Sequence, residues 1–310
     1  MSHTASAAPD GEPRELERDH ITVVEKAPLK KAITGATMGN LMEWYDFGIY
    51  GYLAATMTKV FQPEGGDDST KMIITFAVFA VSFLARPFGG LVFGPLGDKI
   101  GRQKTLAITM LAMSIATGAI GLLPSFSTAG WWAFAGLIIC RLVQGFSTGG
   151  EYSGATTFVS EYSPDKRRGY FSSFLDTGSY LGFAVGAAVV ALFSIGLGSE
   201  TMDDWGWRIP FLISVILIVV GYLIRKAVEE SPVFKEMQQL KVDESAPLGE
   251  LFRHHTKEVI LAAVIFAANN GVGYLLIAWF SKYGGPKGLG MTSSEVLIAS
   301  LVGGVGWFIF

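Results

Sequence analysis

The sequence predicts an all-α polytopic membrane protein, and three observations support that prediction. Half of the 310 residues are hydrophobic, only 16% are charged, and glycine contributes 38 residues. Soluble domains carry roughly 25% charged residues, whereas small residues and scarce charge suit helices that pack closely in lipid. Other classes are disfavoured. The net charge of −3 argues against a nucleic-acid binder, and the single cysteine, Cys140, permits neither an internal disulfide nor a cysteine metal site.

Eight apolar windows follow a polar N-terminal tail, and each can hold the roughly 20 residues that cross a bilayer. They cover residues 32–59, 71–97, 104–123, 130–159, 169–197, 207–227, 257–281 and 292–310. The one long polar connection, residues 228–256, is expected to be either a solvated linker or a short helix on the membrane surface. We therefore predict a cytoplasmic polar tail (1–31), a six-helix transmembrane domain (32–227), a cytoplasmic loop (228–256) and the start of a second transmembrane domain (257–310).

The placement of Lys and Arg predicts the orientation of these spans. The tail and the connections after the second, fourth and sixth windows are basic. The opposite connections are poorer in Lys and Arg: residues 124–130 carry no charge, and residues 200–204 are acidic. The N-terminus is therefore predicted to be cytoplasmic.

Several ionisable residues fall inside the windows, where they are costly and usually functional. Glu43 and Asp46 lie one helical turn apart in the first window, Arg86 lies in the second, and Asp176 lies in the fifth. The fourth window aligns a polar stripe on one helical face: Arg141, Gln144, Thr148 and Glu151. These windows together contain four acids and two arginines, so two carboxylates would lack a cationic partner. Protonation is the least costly way to keep such carboxylates inside a membrane. We predict proton exchange, with buried ion pairs that merely join helices as the alternative.

The connection between the second and third windows resembles the signature loop of the major facilitator superfamily. It reads Gly94-Pro-Leu-Gly97-Asp98-Lys99-Ile-Gly101-Arg102. The resemblance implies a gating loop that latches the two halves of a transporter, formed here by Gly94, Gly97, Asp98, Lys99, Gly101 and Arg102. It also implies that Arg141 matches the family arginine linked to proton coupling. The proton-coupling set is then Glu43, Asp46, Arg141, Glu151 and Asp176.

Five further stretches narrow the resemblance to the metabolite:proton symporter family. They are residues 43–47, 86–90, 144–152, 163–169 and 205–212. Within that family, residues 175–179 and 229–234 resemble the group that takes up compatible solutes. The resemblance implies proton-driven symport of a small zwitterion, such as proline or glycine betaine, across the bacterial inner membrane by alternating access. No cofactor is implied beyond the proton gradient. Relatives that carry α-ketoglutarate, citrate or shikimate make a carboxylate substrate the alternative.

The family has twelve spans, so this chain is expected to be C-terminally truncated, with a complete N-terminal domain and the first one or two helices of the C-terminal domain. A non-transporting fragment or a membrane sensor is therefore a further alternative. An enzyme is disfavoured, because none of the four histidines lies in a window and no nucleophile–base arrangement is evident.

A zwitterionic solute would need a site for its cation and a site for its carboxylate. Aromatic rings suit a quaternary ammonium group, and an arginine suits a carboxylate. The candidate substrate-binding residues are Asn40, Trp44, Tyr45, Phe47, Tyr50, Arg86, Gln144, Tyr152 and Tyr180. Asn269, Asn270 and Tyr274 are candidates from the second half. Packing in the core or against lipid is the alternative for each aromatic residue.

Overall fold

The computed structural model describes residues 26–226, 253–268 and 290, and in that part of the chain the regular structure is helical. Within residues 26–226 there are nine α-helices: α1 (Lys26–Tyr52), α2 (Ala54–Phe61), α3 (Asp68–Ile100), α4 (Arg102–Leu122), α5 (Phe126–Ala129), α6 (Trp131–Tyr162), α7 (Arg168–Leu197), α8 (Ser199–Thr201) and α9 (Arg208–Lys226). A 3-10 turn, Asp165–Arg167, precedes α7, and a π-helical turn, Met202–Gly206, precedes α9. Residues 256–268 are also helical. The predicted all-α class is confirmed.

The six long helices match the first six predicted windows, with two differences at their boundaries. The first window is not one helix, because α1 ends at Tyr52 and α2 begins at Ala54. The connection after the second window is much shorter than predicted, because α3 continues to Ile100 and Gly101 alone separates it from α4. Gly101 has a φ of 102°, a conformation that glycine adopts without steric cost.

Three of the described helices, α3, α4 and α7, are long and apolar enough by composition to cross a membrane. Helices α1 and α6 contain 27 and 32 residues, which exceeds the roughly 20 that a bilayer requires. Both carry the buried ionisable side chains described below.

The long helices pack in a pattern that two inverted three-helix units would produce. Helix α1 runs along α7, and α3 runs along α6. Helix α4 packs against α6 and α9, and α1 packs against α9. If α1, α3 and α4 are exchanged with α6, α7 and α9 in that order, the α1–α7 contact becomes the α3–α6 contact, and the α4–α6 contact becomes the α1–α9 contact. Internal inverted repeats are expected to show this correspondence.

Glycine allows the closest of these helix contacts, which we call the α3–α6 seam. A Cβ atom added to Gly145 would lie 1.8 Å from the Ser82 carbonyl oxygen. One added to Gly149 would lie 1.9 Å from the Arg86 carbonyl oxygen. Any larger residue at either position would push the two helices apart.

The α1–α7 seam is built in the same way. An added Cβ would lie 2.5 Å from the Thr37 carbonyl oxygen at Gly178, and 2.3 Å from the Leu41 carbonyl oxygen at Gly182. Gly178 and Gly182 are four residues apart, so both lie on the face of α7 that contacts α1. Small residues at such interfaces gain van der Waals contact that larger ones would prevent.

The two ends of the bundle differ in charge. The end where α3 meets α4 and α6 meets α7, which we call the basic end, carries Lys99, Arg102 and residues 166–168. The opposite end is more acidic, and there Asp203 accepts hydrogen bonds from Thr56 and Lys59. This alternation agrees with the predicted charge pattern along the chain.

Several predictions lie outside the described residues. They concern most of the N-terminal tail, most of residues 228–256, the seventh window beyond residue 268, and the eighth window. The second-half candidates Asn269, Asn270 and Tyr274 also lie there.

Candidate functional site

The centre of the bundle holds a chain of hydrogen bonds that joins α1, α4 and α6, which we call the sealed network. Arg141 Nη1 donates to Gln144 Oε1 at 3.0 Å, and Gln144 Nε2 donates to Thr117 Oγ1 at 2.7 Å. The Thr117 hydroxyl lies 2.7 Å from Asp46 Oδ2, to which it donates. None of the four side chains is more than 1% exposed. A carboxylate and a guanidinium are thus held together out of contact with water.

The sequence of α6 explains how this network is assembled. The four polar residues of the predicted stripe are all buried, as a single inward face requires: Arg141, Gln144, Thr148 and Glu151. Gly145 and Gly149 lie on the neighbouring face, where they allow α6 to contact α3 closely. Glu151 is an acidic electrostatic neighbour of Asp46. The α3–α6 seam therefore positions the helix that carries the stripe.

Aromatic rings surround the Arg141 guanidinium. Its central carbon lies 4.1 Å from the ring centroid of Tyr50, 5.1 Å from that of Phe79 and 5.4 Å from that of Phe47. Its Nε and Nη2 atoms have no hydrogen-bond partner among the described residues. Cation–π attraction, together with the nearby Asp46 charge, stabilises this buried cation.

Arg86 occupies a second aromatic pocket on the other side of Phe47. Its guanidinium carbon lies 4.5 Å from the centroids of both Phe47 and Phe83, and 5.6 Å from that of Trp44. Its Nη2 atom lies 3.6 Å from Glu43 Oε1. Glu43 is thus paired across helices with Arg86, and Phe47 contacts both arginines.

Two of the candidate binding residues contact neighbouring helices. Asn40 Nδ2 donates to the Leu175 carbonyl oxygen at 2.5 Å and to Ser179 Oγ at 2.6 Å. The Tyr45 hydroxyl donates to the Pro210 carbonyl oxygen at 2.9 Å. Both side chains are at most 1% exposed, so they hold α1 against α7 and α9.

A different group, the open cluster, lies where α6 and α7 meet. The Tyr152 hydroxyl donates to Asp176 Oδ1 at 3.3 Å. Tyr180 is an electrostatic neighbour of Asp176 one turn along α7 and is 37% exposed. Asp176 itself is exposed on the bundle surface. The structure thus brings these three predicted residues together, away from the sealed network.

The predicted gating residues lie at the basic end. Arg102 Nη2 is 2.8 Å from Asp98 Oδ1, and Arg102 Nε is 3.9 Å from Glu161 Oε1. Gly97 faces the Arg102 side chain, and its carbonyl oxygen accepts from the Gly101 N–H at 3.0 Å. Gly94 has open space around it, and Lys99 lies in the last turn of α3. The turn therefore connects α3, α4 and α6 through one arginine.

Sequence reasoning missed Thr117, Phe79, Phe83 and Glu161. For Thr117 a signal was available, because small polar residues or glycine recur on one face of α4, separated by four or eight positions. They are Thr105, Thr109, Thr117 and Gly121, and all four are buried. That spacing indicates a polar, close-packed face on an apolar helix. The two phenylalanines and Glu161 carry no such signal, since their roles depend on which helix they meet.

The matching family model and the similar proteins are described as transporters. The model of the family described as "Sugar (and other) transporter" matches residues 32–246. The ectoine/proline transporter ProP of Corynebacterium glutamicum is 46% identical over 286 residues, which are 88% of this chain and 56% of that protein. The proline/betaine transporter of Salmonella typhimurium is 46% identical over 272 residues, which are 85% of this chain and 54% of that protein. The chain thus spans about half the length of these curated relatives.

Another similar protein has a broader name. The glycine betaine/proline/ectoine/pipecolic acid transporter OusA of Dickeya dadantii is 44% identical over 274 residues, covering 86% of this chain and 54% of that protein.

Solved structures with the same fold belong to a xylose transporter. The major facilitator superfamily proton:xylose symporter XylE, bound to 6-bromo-6-deoxy-D-glucose, matches with a TM-score of 0.72 at 17% identity. The match covers 91% of this chain and 67% of that one. The partially occluded, inward-open form of the Escherichia coli transporter matches with a TM-score of 0.64, covering 89% and 70%. At this identity the likeness establishes the fold alone, which is the predicted major facilitator fold.

Proposed function

The chain belongs to the sugar (and other) transporter family of the major facilitator superfamily, and on that premise we propose that its native gene product takes up a small zwitterionic solute together with protons. The solute class is proline, glycine betaine or a similar compatible solute. The family comprises multi-pass membrane transporters, not enzymes. The bacterial inner membrane, with a cytoplasmic basic end, is the location that the proposal implies.

The names of the relatives support the proposed solute class. At 44–46% identity, they are described as transporters of proline, betaine, ectoine and pipecolic acid. All of these solutes join a carboxylate to a nitrogen centre that is cationic or readily protonated. The shared chemistry is therefore that of a small zwitterion.

The observation that best supports proton coupling is that the sealed network can accommodate Asp46 with or without a proton. Thr117 Oγ1 lies 2.7 Å from Asp46 Oδ2 and 3.0 Å from the Met113 carbonyl oxygen. When Asp46 is ionised, the hydroxyl donates to it. When Asp46 is protonated, its carboxyl group donates to Thr117, and the hydroxyl turns to Met113.

Gln144 can keep its bond to Thr117 in both states, because a hydroxyl oxygen accepts two hydrogen bonds. Neither state leaves the Thr117 hydroxyl unsatisfied, so proton exchange at Asp46 avoids the penalty of an unpaired buried donor. The Arg141 charge is linked to Asp46 through Gln144 and Thr117 and would favour the ionised form of Asp46. Binding of the solute or a movement of the helices would then shift the protonation equilibrium of Asp46.

The two glycine seams support alternating access as the mechanism. Because α1–α7 and α3–α6 contact backbone to backbone, the six helices would move as one rigid unit against a partner half. Secondary transporters with internal repeats commonly work in this way.

Uptake of labelled glycine betaine and proline into liposomes containing the native gene product tests the proposal. We expect uptake to accelerate when the outside is made acidic, and we expect Asp46→Asn to abolish that acceleration while solute exchange without a gradient continues. The matched control is Asp68→Asn, an exposed acid in the first turn of α3, which should behave as wild type.

Three results would contradict the proposal. Uptake that is indifferent to the pH gradient in the wild type would exclude proton coupling. Full gradient dependence in Asp46→Asn would remove Asp46 from the mechanism. Uptake of citrate or α-ketoglutarate in place of the zwitterions would favour the carboxylate alternative.

A further inference from the structure

The aromatic rings that the sequence offers for a solute cation fall into two groups. Trp44 and Phe47 lie near the Arg86 guanidinium, and Phe47 and Tyr50 lie near that of Arg141. Tyr45 is fully buried and bonded to α9. These rings already serve a cation of the protein or the packing of the core, so a solute would have to displace an arginine to use them.

Tyr152 and Tyr180 are different, because they flank an acid instead of a guanidinium. Asp176 makes no ion pair with Lys or Arg within residues 26–226 and 253–268, and its hydrogen bond comes from the Tyr152 hydroxyl. Glu43, by contrast, lies 3.6 Å from Arg86, and Asp46 is closed inside the sealed network. The open cluster therefore presents negative charge and aromatic surface together.

A third ring comes from the helix of residues 256–268. The Phe266 centroid lies 6.4 Å from that of Tyr152, with the two planes tilted by 54°. Rings at an angle to one another can contact a rounded cation from more than one side. The cluster thus combines side chains of α6 and α7 with one from the seventh predicted span.

This combination suits an ammonium group that has no N–H to donate. A quaternary ammonium ion cannot form conventional hydrogen bonds, so it is recognised by aromatic faces and by a nearby negative charge. The Tyr152 hydroxyl fixes the orientation of the Asp176 carboxylate and leaves its second oxygen for the cation. A proline-type ammonium would bind the same carboxylate through its N–H groups.

We propose that Asp176, Tyr152 and Tyr180 form the site that binds the cationic group of the transported solute, with Asp176 as its counter-ion. This inference rests on the proposed function and deepens it. It assigns Asp176 to solute binding, whereas the sequence placed it with the proton-coupling acids. Proton exchange is then left to the sealed network.

Solute uptake by the native gene product in liposomes tests the assignment. Asp176→Asn should raise the KM for glycine betaine at least about tenfold, the loss expected from a cation–π and counter-ion site. Uptake at saturating solute should still accelerate with an inward proton gradient. Asp176→Glu should recover part of the affinity, since it restores the charge. Asp68→Asn removes an exposed acid elsewhere and should leave the KM unchanged.

The tyrosines separate a cation site from a hydrogen-bonding one. Tyr180→Phe keeps the ring and should change the KM less than about twofold, whereas Tyr180→Leu removes the π face and should raise it severalfold. Equal effects of both substitutions would overturn the aromatic role of this residue. Thermal unfolding of each purified variant shows whether a loss of uptake reflects a loss of folded protein.

Binding of tetramethylammonium chloride to the purified protein, measured by calorimetry, tests the site independently of transport. We expect saturable binding to the wild type and to Asp68→Asn, and none to Asp176→Asn. If the wild type transports neither betaine nor proline but binds tetramethylammonium in this pattern, the proposed function fails and the cation site stands. If Asp176→Asn transports betaine with an unchanged KM, or loses gradient dependence with an unchanged KM, the assignment of Asp176 is overturned.

Discussion

Asp46 and Asp176 are both aspartates in long helices of one bundle, and they lie in opposite surroundings. Asp46 is 1% exposed and bonded to Thr117, in a network that ends at Arg141. Asp176 is exposed and bonded to Tyr152. We propose that the closed site exchanges a proton and that the open site binds a cation. Residue type alone therefore does not assign an intramembrane acid to either role.

The two glycine seams of the bundle also differ from each other. The α3–α6 seam brings Gly145 and Gly149 against backbone oxygens at 1.8 and 1.9 Å from an added Cβ. On the α1–α7 seam the corresponding distances are 2.5 Å at Gly178, 2.3 Å at Gly182 and 3.5 Å at Gly186. The tighter interface therefore belongs to α6, the helix that carries Arg141 and Gln144.

The largest expected effect comes from breaking that tighter seam. Gly149→Ala places a methyl group against the Arg86 carbonyl oxygen, so α3 and α6 must separate, and we expect a loss of about 3 kcal/mol of stability. Thermal unfolding in detergent measures this. Gly186→Ala is the matched control, because its added Cβ meets α1 at an ordinary contact distance. Equal melting temperatures for the two variants would contradict the difference between the seams.

The next effect concerns the cation of the sealed network. Arg141→Lys keeps the charge but loses the planar guanidinium that lies against Tyr50 and donates to Gln144. We expect gradient-driven uptake of glycine betaine to fall about tenfold. Arg167→Lys changes an exposed arginine at the basic end, outside the network, and should leave uptake near the wild-type rate. A normal rate for Arg141→Lys would show that charge alone is sufficient there.

A smaller effect is expected at the hydroxyl between Gln144 and Asp46. Thr117→Val removes one buried hydrogen-bonding group, and the loss of about 1 kcal/mol corresponds to roughly a fivefold lower uptake rate. Thr117→Ser retains the hydroxyl and should restore most of the rate. The pH profile of uptake should change in the valine variant alone. Identical profiles in both variants would mean that the hydroxyl does not respond to the Asp46 proton.

The smallest effect is expected for an acid outside both sites. Asp98→Asn breaks the 2.8 Å pair with Arg102, in which the Asp98 side chain is 41% exposed. Exposed pairs contribute little, so thermal unfolding should register about 0.5 kcal/mol or less. A loss comparable to that of Gly149→Ala would indicate that the basic end stabilises the bundle far more than its exposure suggests.

Much of this architecture could be predicted from local patterns in the sequence. Apolar windows located the long helices, and the inward face of α6 followed from the positions of Arg141 and Glu151. These features depend on the periodicity of one helix. The break between α1 and α2, and the single-residue turn at Gly101, depend on backbone geometry that hydropathy does not report.

The division between the two sites could not be predicted, because it depends on pairs of helices. Glu43 and Asp46 are a turn apart in sequence, yet Glu43 pairs with Arg86 of α3, while Asp46 bonds to Thr117 of α4. The aromatic residues near these two acids indicated that a cationic group binds there. Periodicity could not tell whether that cation belonged to the protein or to a solute.

Proton uptake by the purified protein on addition of solute tests the division of roles most directly. A pH electrode in weakly buffered solution records the protons taken up when saturating glycine betaine is added. We expect proton uptake by the wild type and by Asp176→Asn, and none by Asp46→Asn. Proton uptake that survives in Asp46→Asn and disappears in Asp176→Asn at saturating solute would contradict it.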